Sequence, residues 1–159
     1  MRDSFKEWIF EKAIKDPSIV VVSVDNGFSV FKEFKAKFPD RFFNVGICEQ
    51  AAVSMAAGLA IGGMRPYVFT ITPFLLERAY EQIKIDIDSQ NLLVTLVGYW
   101  DYSKEGITHT CLDEDALAYS FKNIYYRKPS NRQNTVSILE DCYLTKIPAF
   151  ISLVKADND

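Results

Sequence analysis

Two rhythms alternate along the chain. Continuous β-branched and aromatic runs occur at 18–24 (SIVVVSV), 66–72 (PYVFTIT), 92–100 (LLVTLVGYW) and 148–154 (PAFISLV), each of strand length. Runs without charged interruption are expected of parallel strands covered on both faces. Shorter strand signals lie at RFFNV and NIYYRKP. Between them the spacing turns helical. Phe31, Phe34 and Phe38 form one stripe, ended by Pro39. Leu75, Ala79, Ile83 and Ile87 form another, with Thr72 predicted as N-cap and Pro73 at the first helical position. A further helix is predicted over 112–121, and Ser130 with Gln133 predicts a capping box for the helix NRQNTVSILEDCYL.

Strands alternating with helices predict an α/β fold: a doubly wound, mostly parallel sheet with helices on both faces. At 159 residues the chain has the size of one domain, taken as 1–159, with no repeat, linker or low-complexity segment. Ligands of such folds bind beyond the carboxyl ends of the strands. That rule points to three loops: VDNGFS, NVGICEQ and YWDYSKEGITHT.

Composition excludes more than it selects. A formal net charge of −3 gives no electrostatic reason to expect nucleic acid or an anionic membrane as partner. No apolar run is long enough to span a bilayer, and MRDSFKEWIF lacks the apolar core of a signal peptide. The three cysteines, Cys48, Cys111 and Cys142, are scattered without CxxC spacing, which suits reduced thiols in a cytoplasmic protein. There is no Gly-x-Ser-x-Gly to partner a triad, no GxGxxG and no Walker lysine motif.

The stretch RFFNVGICEQAAVSMAAGLAIGG carries the chemistry. A glycine turn leads into a helix with Ala51, Ala52, Val53, Met55, Ala56, Ala57, Leu59 and Ala60 on all sides, predicted to be wholly interior, yet Glu49 stands at its mouth. An acid in the first helical turn is favoured by the dipole, by roughly 0.3–1 kcal/mol, and most such residues do nothing else. A desolvated carboxylate is also a candidate proton partner. Spacing alone does not choose between these.

The residues RFFNVGICEQAAVSMAAGLAIGGMRPYVF closely resemble the pyrimidine-binding domain of transketolases and deoxyxylulose-phosphate synthases. VVVSVDNG, FLLERAYEQIKIDIDSQNLLV and EGITHTCLDEDALAYSFKNIYYRKPSN resemble that family's flanking segments in order. The resemblance implies thiamine diphosphate as cofactor. Glu49 would then hydrogen-bond a ring nitrogen of its aminopyrimidine and favour the imino tautomer, whose nitrogen takes the thiazolium proton. By the same resemblance His109, in GITH, faces the reacting end of a substrate, histidine being suited to proton traffic near neutral pH. Glu105 would take the place of an acid that helps select sugar hydroxyl stereochemistry, there usually Asp. Arg78 would contact a substrate phosphate. Asp25 and Ile47 would lie near the cofactor, and Phe74, with Phe69 second, would stack on the pyrimidine. Each has a plainer alternative: a solvated charge for Arg78, a turn cap for Asp25, core packing for the aromatics.

The family's Gly-Asp-Gly…Asn segment, which holds Mg2+ and the diphosphate, has no match here, nor has its C-terminal domain. The resemblance therefore implies a partner chain, a diphosphate-binding transketolase-type subunit, joined in a two-plus-two heterotetramer with two cofactor sites. The expected reaction is transfer of a two-carbon ketol unit between sugar-like substrates. A 2-oxo acid decarboxylase or carboligase is the alternative within catalysis, and a non-catalytic scaffold subunit is the alternative outside it.

Overall fold

The computed structural model describes residues 1–25, 27–100 and 105–154. The first part of the loop after the third long strand, 101–104, and the tail KADND lie outside the described residues.

Six parallel strands make one sheet in the order β2-β1-β3-β4-β6-β5. They are β1 Ile19–Ser23, β2 Phe42–Asn44, β3 Arg65–Ile71, β4 Thr95–Trp100, β5 Tyr125–Arg127 and β6 Ala149–Val154. The four long runs of the sequence are β1, β3, β4 and β6, and they occupy the sheet's four inner positions. Each has every residue buried or nearly so. Their side chains alternate between two helical layers, as the period of 2 requires. Val20, Val22, Val68, Leu96 and Phe150 face one layer, built from α4 (Glu49–Ile61), α5 (Thr72–Leu76) and α7 (Glu114–Tyr119). Ile19, Val21, Tyr67, Val97 and Ile151 face the other, built from α1 (Arg2–Lys15), α3 (Lys32–Lys37) and α8 (Arg132–Thr145). Register preserves the alternation: Val21 lies beside Tyr67, and Val22 beside Val68. The short helices α2 (Gly27–Val30) and α6 (Tyr80–Gln82) complete the set.

Four sequence expectations need correction. The helix of 51–61 is not interior on all sides. Ala52, Val53, Ala56 and Ala57 are buried on the sheet, whereas Met55 is 40% and Ile61 68% exposed. Alanine and glycine supply apolarity without the bulk that demands a second partner layer. The long helix after β3 is broken. Its buried stripe Leu75, Ala79, Ile83 and Ile87 is fully sequestered, but α5 stops at Leu76. The chain resumes at Tyr80 and widens into π geometry over Ile83–Asp88, where Ser89 N donates to Lys84 O and Leu92 N to Ile87 O. Thr72 is the first residue of α5 rather than its cap, which is Ile71. The α8 cap lies one residue later than predicted: Asn131 accepts from Asn134 N at 2.8 Å, while Asn134 Oδ1 accepts from Ser130 N. Helix α1, an element not anticipated above, buries Phe5, Trp8, Ile9 and Ala13 at helical spacing.

Candidate functional site

The site begins with a seam between β1 and β2. Past the last ladder pair, Val45 N donates to Ser23 O and Asp25 N to Gly46 O, so the two outgoing loops run side by side. Asn44 folds back on its own turn, accepting from Gly46 N and donating to Ser23 Oγ. Gly46, at φ 70°, takes the left-handed conformation that lets the chain reverse into α4. This turn sets Ile47 at the surface, 70% exposed, and drops Glu49 inward to 4% exposed.

Glu49 opens into a cavity of about 300 Å3 at the carboxyl ends of β1 and β3. Val24 and Asp25 line it from the first loop, and Ile47 and Glu49 from the second. Thr70 and Ile71 reach it from β3, Phe74 from α5, Arg78 from just past that helix, and His109 from the loop after β4. A larger hollow of about 500 Å3 lies around Asp16, Arg65 and Tyr143, away from these loops. It is the smaller one that gathers a buried carboxylate, a cation, an aromatic ring and the single histidine of the chain.

Arg78 Nη1 donates to Glu49 Oε1 at 3.1 Å; the carboxylate side chain is 5% exposed and the arginine 41%. The guanidinium carbon also lies 3.7 Å from the centroid of Phe74, a cation–π contact. Phe74 in turn meets the His109 ring edge to face at 4.7 Å. Glu49, Arg78, Phe74 and His109 thus form one connected chain of contacts. Gly106, at φ 90°, turns the backbone into the short helix Ile107–His109, and Thr108 Oγ1 shares a hydrogen bond with His109 Nδ1 at 3.0 Å. Glu77 Oε1 accepts from Leu112 N at 2.9 Å and ties this loop to the chain following α5. Beyond it Cys111 is half-buried, and burial, with Glu77 and Glu114 nearby, pushes its thiol up to about 12.

Of the residues singled out in the sequence, Asp25, Ile47, Glu49, Phe74, Arg78 and His109 come together. Phe69 and Glu105 do not line the cavity. Phe69 is 1% exposed, packed between Phe5 and Phe31 in the opposite layer. Glu105 is exposed beside Gly106. Val24, Thr70 and Ile71 line the cavity without a distinguishing mark in sequence. Nor could sequence show the Glu49–Arg78 pair, whose members are 29 residues apart.

A doubly wound parallel sheet with a buried carboxylate at the head of a small-residue helix, facing a basic and aromatic wall, defines a class: α/β domains with a polar cavity at the carboxyl edge of the sheet. The chain belongs to the transketolase pyrimidine-binding domain family, whose model matches residues 1–158. It is 35% identical over 156 residues to the 1-deoxy-D-xylulose-5-phosphate synthase of Neisseria meningitidis serogroup C (strain 053442), covering 92% of this chain and 24% of that protein. To the Symbiobacterium thermophilum synthase it is 37% identical over 130 residues, covering 80% and 20%. The chain therefore spans about a quarter of the length of these curated relatives. Among solved structures it is similar to a split-gene transketolase described as an inactive β4 tetramer, with TM-score 0.87 and 28% identity over 98% of this chain and 51% of that one. The transketolase of Campylobacter jejuni shares the fold, with TM-score 0.85 at 19% identity over 96% of this chain and 25% of that one.

Proposed function

We propose that the chain is the pyrimidine-binding subunit of a split thiamine-diphosphate-dependent, transketolase-like enzyme that transfers a two-carbon ketol unit between sugar-like substrates. The observation that carries this reading is Glu49, a carboxylate 4% exposed at the head of α4 that opens into a cavity with an aromatic wall. The donor set fits the aminopyrimidine half of the cofactor. A buried carboxyl can hydrogen-bond a ring nitrogen, Phe74 offers a ring, and Ile47 and Ile71 supply apolar walls. When bound, thiamine diphosphate would supply a stabilised carbanion equivalent for carbon–carbon bond transfer. Glu49 would hold a proton on the pyrimidine side and fix its orientation. His109, across Phe74, would hold a substrate oxygen. Arg78 and Asp25 would set the charge at the cavity rim. A partner chain of diphosphate-binding type would hold Mg2+ and the diphosphate, in a two-plus-two assembly.

A second reading is favoured by the synthase relatives. Their name denotes a sugar phosphate without a hydroxyl on its first carbon, a product that requires an acyl rather than a ketol unit, such as a 2-oxo acid provides on losing CO2. The test begins with co-purification of the tagged chain from its native cells and assay of the complex for thiamine diphosphate. The complex is then offered a ketose phosphate or a 2-oxo acid as donor. Ketol transfer without CO2 supports the first reading, and CO2 release coupled to condensation supports the second. Glu49→Gln should leave the complex assembled but lower turnover by about 10²-fold or more. Unchanged turnover would refute the role of Glu49, and a complex without cofactor or activity would leave only a scaffold function.

A further inference from the structure

In the described structure Glu49 has a partner already. Among the described residues its hydrogen-bond donor is Arg78, at 3.1 Å. The same guanidinium lies over Phe74, 3.7 Å from the ring centroid. These contacts are made by one group, and each occupies something an aromatic ligand needs. A ring stacked on that face of Phe74 would lie about 3.5–4.0 Å above it, at the optimum for carbon–carbon contact. That slot is where the guanidinium now sits. The pair is also asymmetric. Glu49 is held almost out of water, at 5% exposure, by the backbone turn that precedes it, whereas Arg78 is 41% exposed on a long side chain. When something must move, the arginine can turn into solvent and the carboxylate cannot.

We propose that Arg78 is a built-in placeholder for the pyrimidine ring: it neutralises Glu49 and covers Phe74 while the cavity has no ligand, and ligand binding is an exchange that expels its guanidinium. This rests on the aminopyrimidine reading of the cavity and adds to it a positioning residue that opposes binding by the isolated subunit. A buried carboxylate without a counter-charge is strongly destabilising, so a chain that must fold before its ligand arrives gains from carrying a temporary cation. The consequence is a subunit whose own affinity for the ring is held down until the rest of the site, with its further contacts, is in place.

Two measurements on the full chain test this. The first is a thermal double-mutant cycle. Arg78→Met should lower the melting temperature by about 2–4 °C, the size expected for roughly 1 kcal/mol in a domain of this length. In a Glu49→Gln background, where no charge needs neutralising, the same substitution should have under about 1 °C of effect. Equal losses in both backgrounds would overturn the counter-ion role. The second is titration with the uncharged methyl-aminopyrimidine fragment of thiamine, followed by amide chemical shifts. Arg78→Met should bind it about fivefold more tightly than the unmodified chain, Arg78→Lys should fall between them, and Glu49→Gln should bind it least. Weaker binding by Arg78→Met would show that the arginine holds the ligand rather than yields to it, and would refute the exchange while leaving the aminopyrimidine reading intact. Binding by none of these proteins, with the thermal coupling present, would refute the aminopyrimidine reading and the exchange together.

Discussion

Gly98 on β4 packs tightly against Thr72 at the start of α5, and alanine there tests that contact directly. A Cβ at this position would stand 2.5 Å from Thr72 Oγ1, and 3.1 Å from both Thr72 Cα and Cβ. Rotating the threonine side chain removes the first contact but not the one to Cα, so backbone must retreat by several tenths of an ångström. Overpacking of this kind costs about 1–3 kcal/mol. Replacing glycine by alanine returns roughly 0.4–1 kcal/mol by narrowing the unfolded ensemble. The net expectation is a loss of about 1–2 kcal/mol, or about 2–8 °C in melting temperature for a domain of this size. Urea unfolding should show a lower midpoint with an unchanged slope. Because Thr72 begins the helix that carries Phe74, ligand affinity should fall as well. Adding Thr72→Ala should recover part of the loss, the two substitutions being non-additive by at least about 0.5 kcal/mol. A Gly98→Ala protein as stable as the parent, or strict additivity in the double variant, would refute this account of the β4–α5 contact.

Other expectations concern single groups in and around the sheet. Thr72 Oγ1 is buried without a hydrogen-bond partner among the described residues, so the near-isosteric Thr72→Val should raise stability by about 1 kcal/mol in urea unfolding. Burial alone would raise the pKa of Asp16, but hydrogen bonds from Ser18 and Tyr143 and the charge of Arg65 outweigh it, and the carboxyl titrates below its usual range. A depressed folded-state pKa gives stability that is fully present above the unfolded value, about 3.9, and is lost as pH falls through the folded one. Asp16→Asn should therefore cost about 1–2 kcal/mol at neutral pH and flatten the acid limb of a stability–pH curve. Cys48 is exposed, whereas burial holds the thiols of Cys111 and Cys142 up, to about 12 and about 11. Iodoacetamide at neutral pH should label Cys48 first in the folded chain, with the other two reacting only on unfolding, as peptide mass mapping would show.

The inner strands were legible because burial on both faces leaves little room for charged residues, and a run such as VVVS or LVGY announces itself. The stripe Leu75, Ala79, Ile83 and Ile87 was legible for the same reason, even though the helix carrying it is broken. Spacing records which residues are buried; it does not record the backbone that delivers them. Helix α1 was legible in principle, its buried residues Phe5, Trp8, Ile9 and Ala13 standing at helical spacing, but Phe10 and Ile14 lie off that face and blur the stripe. The exposed face of α4 was misread because Ala, Gly and Met count as apolar without needing to be covered. In the cavity, local sequence marked Glu49, and a family resemblance added His109, Phe74, Arg78, Asp25 and Ile47. The contacts that join them are not local. The Arg78–Glu49 contact joins segments that follow β3 and β2, brought together across β1, whereas the Phe74–His109 contact and the tie from Glu77 to Leu112 need β3 and β4 side by side. Phe69, adjacent in sequence logic, points to the other layer because it sits one step out of phase with Val68 and Thr70.

The strand order has a consequence for how the chain is made. β6 lies between β4 and β5, so one backbone edge of β4 has no hydrogen-bonding neighbour until residues 149–154 have left the ribosome. Every group of the cavity, from Val24 to His109, is synthesised before that strand. The nascent chain must therefore carry an unpaired row of N–H and C=O groups, on a strand of mostly apolar side chains, for about 50 residues of elongation, the condition under which strands pair wrongly. Translation speed over that interval, and chaperone access to it, should influence the yield of folded protein more than any residue of the cavity does.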